Sequence, residues 1–374
     1  MDRKLRVGVL FGGRSGEHEV SLVSASSVIN ALDRSRYEVI PIGIAPDGRW
    51  ISSSRSLELL KAKTGIDAGE EAFLVPEPHR QALVHADGDL AQVQLDVVFP
   101  VLHGTYGEDG TVQGLLELAN LPYVGAGVLA SSLGMDKIVQ KQLFAQAGLP
   151  VVKYRWFHSR RLKESPGQVT SEVEQKLRYP VFVKPSNTGS SVGITKAHNK
   201  KELLEGLRIA AGYDRKIIVE QGVKSAREIE CSVLGNEEPV SSILGEIVPS
   251  NEFYDYDAKY VDGKSRAIIP ADLPAKITTG VQRIAVRAFS IIDCAGMARV
   301  DFLVRAKDRK IYLNEVNTIP GFTSISMYPK LWEASGLSYS QLLDKLISLA
   351  LDRHREKSSL KTTYNPVKNW YTSP

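Results

Sequence analysis

Near its carboxyl end the chain reads ARVDFLVRAKDRKIYLNEVNTIPGFTSIS, Ala298 to Ser326, and few folds accommodate that pattern. Two runs of strand formers, RVDFLV and KIYLNEV, flank the polar turn Ala306 to Lys310, which predicts an antiparallel hairpin. With the turn centred on Asp308, Asp301 falls opposite Glu315, Arg299 opposite Asn317 and Leu303 opposite Leu313. Strand side chains alternate between faces. Arg299, Asp301, Glu315 and Asn317 therefore share one face, while Val300, Phe302, Val304 and Val316 enter a core.

Two carboxylates and an amide oxygen at such close quarters repel unless a cation lies between them. Oxygen-only donors select a hard ion, and Mg²⁺ held by one or two carboxylates completes its shell with water and nucleotide phosphates. Arg299 adds a planar donor suited to phosphate or carboxylate oxygens. The pattern points to phosphoryl transfer, although a solvated strand face with an Asp–Arg pair reads the same way.

At 374 residues the chain is long for one core and predicts two or three domains. Its net charge of +4 comes with no basic stripe and no interleaved aromatics, so nucleic acid is not an expected partner. The two cysteines, Cys231 and Cys294, sit in apolar runs and are expected to be reduced core residues. MDRKLRVGVLFGG passes straight into a strand and a glycine turn, and no run approaches the ~18 apolar residues of a membrane span. A cytoplasmic protein without a membrane partner is the expectation.

RVGVLF (Arg6–Phe11), the turn GGRSGEHEVS and a helix from about Glu19 open a doubly wound α/β unit, whose ligands bind at the carboxyl ends of the strands. The turn matches neither G-x-G-x-x-G nor a Walker A loop. Glu17 within it is either a helix cap favoured by the helix dipole or a ligand for an ammonium group. A second glycine-rich loop, LHGTYGEDG, brings His103, Glu108 and Asp109 to the same edge, where His103 is either a loop hydrogen-bonder or functional. One amphipathic helix, LGMDKIVQKQLFAQAG, ends at Gly148 and marks the entry to a second region.

YPVFVK is a strand whose closing Lys184 supplies a point charge just ahead of PSNTGSSVG. Gly189, Ser190, Ser191 and Gly193 of that loop can bring backbone N–H groups to an anion, and Lys137 can add charge from its helix. KIIVEQGV, Lys216 to Val223, is a strand and hinge whose backbone can read an adenine edge, with Glu220 as acceptor and Glu228 placed for ribose hydroxyls. ECSVLGNEEPVSSILGEIVPS is a hairpin turning at Gly235 and Asn236, and NEFYDYDAKYVDGKSR is either a lid or a packed surface loop. Pro274 opens a helix capped by Gly296, LWEASGLSYSQLLDKLISLALDRHR is a last helix, and the chain from Glu356 is expected to be a mobile tail.

GGRSGEHEVS, LHGTYGEDG, LGMDK, KPSNTGSSVG, EFYDYDAKY, RVDF and NEVNTIPGFT, in this order, resemble the D-alanine:D-alanine ligases of the ATP-grasp superfamily over about residues 5 to 350. The resemblance implies an α/β chain, α+β in its C-terminal half, with three domains. These are an N-terminal substrate-binding α/β domain (1–125), a central ATP-grasp subdomain (126–220) and a C-terminal subdomain (221–355) with a lid loop at 250–266, ahead of the tail 356–374. ATP would lie between the last two, against Lys137, Lys184, Ser190, Ser191 and Lys259, with adenine at Glu220, Gln221, Gly222 and Val223 and ribose at Glu228. Asp301, Glu315 and Asn317 would bind two Mg²⁺ ions, for which Mn²⁺ can substitute.

The same resemblance implies that Glu17, with His103 close by, holds the ammonium of a first D-alanine, and that Ser190 and Tyr260 link Glu17 to the lid. Arg299 and the Gly321 N–H would stabilise an oxyanion, with Ser326 and Met327 at a second D-alanine. The implied product is D-alanyl-D-alanine, made through a D-alanyl phosphate by a homodimer. Relatives that make D-alanyl-D-lactate carry Phe or His where this chain has Tyr260, so the intact tyrosine favours the dipeptide. A D-lactate or D-serine acceptor, or a non-catalytic Mg-ATP-binding regulator, are the competing expectations.

Overall fold

The structure, a computed structural model, describes residues 3–63, 71–85, 92–248, 266–323 and 325–364. The amino-terminal third contains β1 (Leu5–Gly12), α1 (His18–Ala31), β2 (Tyr37–Ile44), β3 (Trp50–Ser52), α2 (Ser56–Ala62), β4 (Ala72–Leu74), β5 (Ala82–His85), β6 (Gln92–Gln94), β7 (Val97–Pro100) and α3 (Thr111–Leu118). One sheet runs β3-β2-β1-β7, with β1 parallel to both β2 and β7. Val7, Val9, Phe11, Val97 and Phe99 pack on one face with Leu22, Ala25 and Val28 of α1. Leu10, Ile42 and Val98 pack on the other with Val112 and Leu116 of α3. With both faces covered, β1 has to be apolar nearly throughout, which is why RVGVLF shows no alternation. The loops after β1 and β7 emerge at the same edge of this sheet, and strands β4 to β6 form a small antiparallel sheet of their own.

Next come α4 (Val128–Met135), α5 (Lys137–Gln146), β8 (Tyr154–His158), α6 (Ser159–Glu164), α7 (Pro166–Lys176), β9 (Val181–Pro185), β10 (Thr195–Ala197), α8 (Lys200–Tyr213) and β11 (Lys216–Gln221). The single helix expected across LGMDKIVQKQLFAQAG is two helices, broken at Asp136. The Asp136 side chain accepts from the Ile138 and Val139 N–H groups, so it starts a new helix instead of continuing the old one. Ser186 and Lys216 hold the same carboxylate from β9 and β11. Strands β10-β9-β11-β8 form an antiparallel sheet.

The last region has β12 (Ala226–Gly235), β13 (Val240–Val248), β14 (Arg266–Ile268), α9 (Ala275–Ile291), β15 (Gly296–Arg305), β16 (Ile311–Asn317), α10 (Met327–Ala334) and α11 (Tyr339–Ser358). Its sheet runs β14-β13-β12-β15-β16, all antiparallel, with Val281, Ala285 and Ala288 of α9 against its core face. Gly296 does not cap α9. Asp293 takes the left-handed turn (φ 56°) and Gly296 (φ 71°) opens β15, pressed so closely on Gly125 that a Cβ there would lie 3.0 Å from the Gly125 nitrogen. The helix expected after Pro320 is split by Gly336 (φ 95°), and α11 runs through Ser358, past the residue where the tail was expected to begin.

The hairpin register departs from expectation in an informative way. Arg299 pairs with Asn317 and Asp301 with Glu315, but Phe302, not Leu303, pairs with Leu313. Asn314 is the extra residue of a β-bulge, which flips the face presented by everything beyond it. Buried Leu313 and Val316 are consequently three apart instead of two. That spacing is readable in KIYLNEVN and is the signal that the even register overlooked. Among the described residues no helix is long and apolar enough to cross a membrane. Cys231 and Cys294 are free and buried, and burial pushes both thiols up to about 12.

Candidate active site

A cavity of about 700 Å³ lies where the three larger sheets approach one another. Glu17, His103, Lys137, Lys184, Ser190, Ser191, Glu220, Gln221, Gly222, Val223, Glu228, Arg299, Asp301, Glu315, Asn317, Gly321, Ser326 and Met327 all line it. Tyr260, Lys259 and the expected lid, apart from Arg266 in β14, lie outside the described residues.

At the hairpin end, Arg299 grips Asp301 with two parallel hydrogen bonds of 2.7 Å and approaches Glu230 of β12 at 3.2 Å. Burial opposes the guanidinium charge, but Asp301 and Glu230 overcome it and hold the arginine pKa well above its ordinary value. Asn317 Nδ2 donates to Asp301 at 2.9 Å. Among the described residues no group of three or more His, Cys, Asp or Glu side chains forms a metal cage. Asp301, Glu315 and the Asn317 amide nevertheless offer oxygen donors on one strand face. That set fits a hard cation that draws the rest of its shell from water and phosphate.

Beside it, Lys137 starts α5 with its ammonium 2.6 Å from the Thr188 carbonyl and 3.9 Å from Glu315. Lys184 at the end of β9 lies 2.7 Å from Glu220, and Lys141, a residue that the sequence reading passed over, lies 2.9 Å from the other oxygen of the same carboxylate. Burial works against ionising Glu220, yet the two lysines pull it down to about 2. Its side chain is thus committed to lysines, which leaves the backbone of Glu220 to Val223 to read a base. Ser190 and Ser191 both adopt left-handed backbone (φ 44° and 61°), the kind of strained loop found at ligand clamps.

At the opposite end Glu17, 7% exposed, stands at the N-cap of α1 but makes no capping bond with its side chain. It accepts the Ser190 hydroxyl instead. Glu17 thus sits at the positive end of the α1 dipole with its carboxylate turned to the cavity. Two glycines leave it room: a Cβ on Gly189 would sit 2.1 Å from Glu17 Oε2, and one on Gly104 2.7 Å away. Gly104 N–H also donates to Glu108 at 2.7 Å, so two carboxylates lean on one residue. Desolvation, and then the charge of Glu17, raise Glu108 to about 8. His103 is buried; its Nδ1 faces the Ile319 carbonyl (3.1 Å) and its Nε2 the Ser24 hydroxyl (3.1 Å). Burial lowers its pKa, against the pull of Glu17. Ser326 stands at the N-cap position of α10, where its hydroxyl bonds Thr323 instead of capping the helix, while Met327 is buried against Ile247 and Leu331. A Cβ on Gly321 would meet Ser326 Oγ at 2.7 Å.

Comparison with known proteins decides the family. Models of the D-ala D-ala ligase N-terminus and C-terminus match residues 6–126 and 143–348. The chain belongs to the D-alanine–D-alanine ligase family. D-alanine–D-alanine ligase from Natranaerobius thermophilus is 50% identical over 97% of this chain and 99% of that protein, and the one from Thermoanaerobacter sp. (strain X514) is 52% identical over 95% and 98%. Among solved structures, the ligase from Coxiella burnetii superposes with a TM-score of 0.80 at 38% identity, covering 95% of this chain and 97% of that one. The VanG D-Ala:D-Ser ligase from Enterococcus faecalis gives 0.83 at 37%, covering 93% and 100%. The architecture is the mixed α/β ATP-grasp fold of these ligases.

Lys141, Glu230 and Ser24 were not singled out from the sequence of this ligase, and Glu108 was named there only as part of its loop. Two of them left a signal. Lys137, Lys141 and Phe144 share one helical face, so a lysine falls in an apolar stripe; Glu228 and Glu230 alternate with buried Ile229 and Cys231 and so share the face of Asp301.

Proposed function

We propose that the chain ligates two D-alanines to D-alanyl-D-alanine at the expense of ATP, releasing ADP and phosphate, to supply peptidoglycan precursors. The observation that carries this reading is the convergence on one cavity of a carboxylate for an ammonium group, two lysines for phosphate, and a buried arginine beside hard-ion donors. Glu17 holds the ammonium of the first D-alanine near His103, and Ser190 and Tyr260 connect Glu17 to the lid. Lys137, Lys184, Lys259, Ser190 and Ser191 hold the ATP phosphates, Glu220 to Val223 the adenine and Glu228 the ribose. The three-domain division at 125, 220 and 355 belongs to the same proposal, as do a cytoplasmic location and a homodimer, the last resting on the family resemblance.

A carboxylate is a poor electrophile, so the first D-alanine carboxylate attacks the γ-phosphoryl group and becomes an acyl phosphate as ADP leaves. With two Mg²⁺ (or Mn²⁺) bound at Asp301, Glu315 and Asn317, charge on the transferring group would be neutralised and its oxygens oriented. Lys137, Lys184 and Arg299 contribute positive charge to the same end, a task of positioning and electrostatics. The second D-alanine, seated at Ser326 and Met327, attacks the acyl carbon through its free amine. The tetrahedral oxyanion meets Arg299 and the Gly321 N–H, each such donor worth about 3 kcal/mol. Phosphate then departs, the attacking nitrogen gives its proton to solvent, and the peptide bond remains.

The test is phosphate release from Mg-ATP with D-alanine alone, beside L-alanine and beside mixtures of D-alanine with D-serine or D-lactate, products identified by mass. Release with D-alanine alone and a dipeptide product supports the reading; turnover only with a mixture moves the error to the acceptor pocket. The D-serine arm is warranted by the likeness to VanG. ATP binding with no turnover in any arm would favour a regulator.

A further inference from the structure

Among the described residues no strand lies beside the Asn314–Val316 segment of β16; α5 covers that edge. Gln140 Oε1 accepts the Val316 N–H at 3.0 Å, and its Nε2 donates to the Gly134 carbonyl at 2.8 Å. Lys141 Nζ donates to the Asn314 carbonyl at 2.7 Å. Both side chains are 1% exposed. They hold the backbone on either side of Glu315, at the bulge that decides which face Glu315 shows. Lys141 also grips Glu220, which in turn holds Lys184. Neither contact is needed to close α5, whose own backbone bonds and Asp136 cap suffice for that.

We propose that Lys141 and Gln140 are positioning residues for the nucleotide half of the reaction: they lock the β16 bulge so that Glu315 faces the cavity, and Lys141 fixes Glu220 against Lys184. A buried ammonium that only balanced charge would not need the carbonyl of the bulge residue. A glutamine that only filled space would not need both its amide atoms engaged. Through α5, the helix that Lys137 begins, the ion-binding hairpin and the phosphate lysines become one rigid unit. The inference rests on the ligase reading above and concerns only the ATP end of the cavity.

The experiment compares the full-length chain with Gln140→Leu, Lys141→Met and Lys141→Arg. It measures KM for ATP, the Mg²⁺ concentration giving half-maximal rate, KM for D-alanine, and ADP affinity by calorimetry with no divalent ion. Supporting partners of this kind cost about tenfold to a hundredfold when removed. Lys141→Met should raise KM for ATP and the Mg²⁺ requirement by that factor and weaken metal-free ADP binding, with KM for D-alanine changed less than about twofold. Gln140→Leu alters no charge, yet it should raise the Mg²⁺ requirement while leaving metal-free ADP binding as it was; this separates positioning from simple loss of a cation. Lys141→Arg should recover part of the loss. Equal changes in both substrates' KM values, or none, overturn the proposal. Should Lys141→Met fail to fold, Gln140→Leu decides by the same criteria. If the unaltered chain does not turn over D-alanine, the ligase reading fails; if it does and the variants match it, only this inference fails.

Discussion

The two ends of the cavity are built on opposite plans. At the hairpin end Glu230, Arg299, Asp301, Glu315 and Asn317 stand on three adjacent strands, and backbone register alone brings them together. At the other end Glu17, His103, Glu108 and Ser190 come from loops as much as 173 residues apart, joined by single hydrogen bonds. The strand-built end balances its charges in pairs, Arg299 with Asp301 and Glu230, before any ligand arrives. The loop-built end sets the carboxyl groups of Glu17 and Glu108 beside a buried imidazole, an arrangement that suits the ammonium group proposed for it. The lesson is that charge can be stored safely on a ladder, while a receptor for a charge is assembled from loops.

The largest effect should come from breaking the balanced end. Arg299→Met strands two carboxylates in a mostly buried sheet face, and removing one partner of such a pair costs about 3–5 kcal/mol. If Arg299 serves as the proposed oxyanion donor, its loss should also lower the single-turnover rate by about 10²–10³. Urea unfolding and rapid-quench kinetics check both numbers. A stable but inactive variant would show that the pairing is not what holds this end together.

Gly189→Ala tests the other end, from a loop whose backbone also faces the nucleotide side. Its Cβ would collide with the Glu17 carboxylate, which is the tip of a flexible side chain, so the fold should survive while the ammonium receptor is displaced. KM for D-alanine should rise by up to about a hundredfold, the size of loss that a misplacement of about 1 Å produces. The urea midpoint should stay where it was, and KM for ATP should change far less than KM for D-alanine. Equal losses in both would mean that the two ends are not separable.

The contrast also explains what could be read from the chain. Period-two alternation over RVDFLV and KIYLNEV placed Asp301 opposite Glu315 and Arg299 opposite Asn317, because a hairpin's partners are close in sequence. Even there the Asn314 bulge was missed, since Leu313 and Val316 had to be noticed as an odd spacing. At the loop-built end the sequence motifs implied that Glu17 and Ser190 meet, but nothing local in GGRSGEHEVS requires it. Glu108 became interesting only once desolvation and a neighbouring carboxylate were seen, and both are tertiary facts. The two helix breaks were missed for a related reason: Asp136 as an N-cap and Gly336 at positive φ interrupt patterns that look continuous by hydrophobicity.

Glu108 gives a pH prediction of intermediate size. Its carboxyl rises from an ordinary value near 4.5 to about 8, through burial and then Glu17, opposed by Lys137 and Arg299. Between those pH values the folded chain holds a proton that the unfolded chain has lost, so stability falls as pH rises through that window. Glu108→Gln cannot ionise. Its melting temperature should therefore decline less between pH 5 and 8 than that of the unaltered chain, by on the order of a few degrees. Parallel declines would remove Glu108 from the account of this end.

The smallest effect should be Ser24→Ala. The Ile319 carbonyl can only accept, so the His103 Nδ1 carries the proton, which leaves Nε2 as an acceptor for the Ser24 hydroxyl. That hydroxyl stabilises the neutral ring, and its removal should raise the His103 pKa and cost about 1 kcal/mol. Imidazole ¹⁵N shifts followed across pH would report both the tautomer and the change; a proton on Nε2 in the unaltered chain would overturn the assignment. The modest size is itself informative. A single neutral hydrogen bond between distant segments is worth several times less than one charged partner in a strand ladder, so the loop-built end owes its geometry to many such bonds together and should yield to substitution gradually, where the hairpin end yields at once.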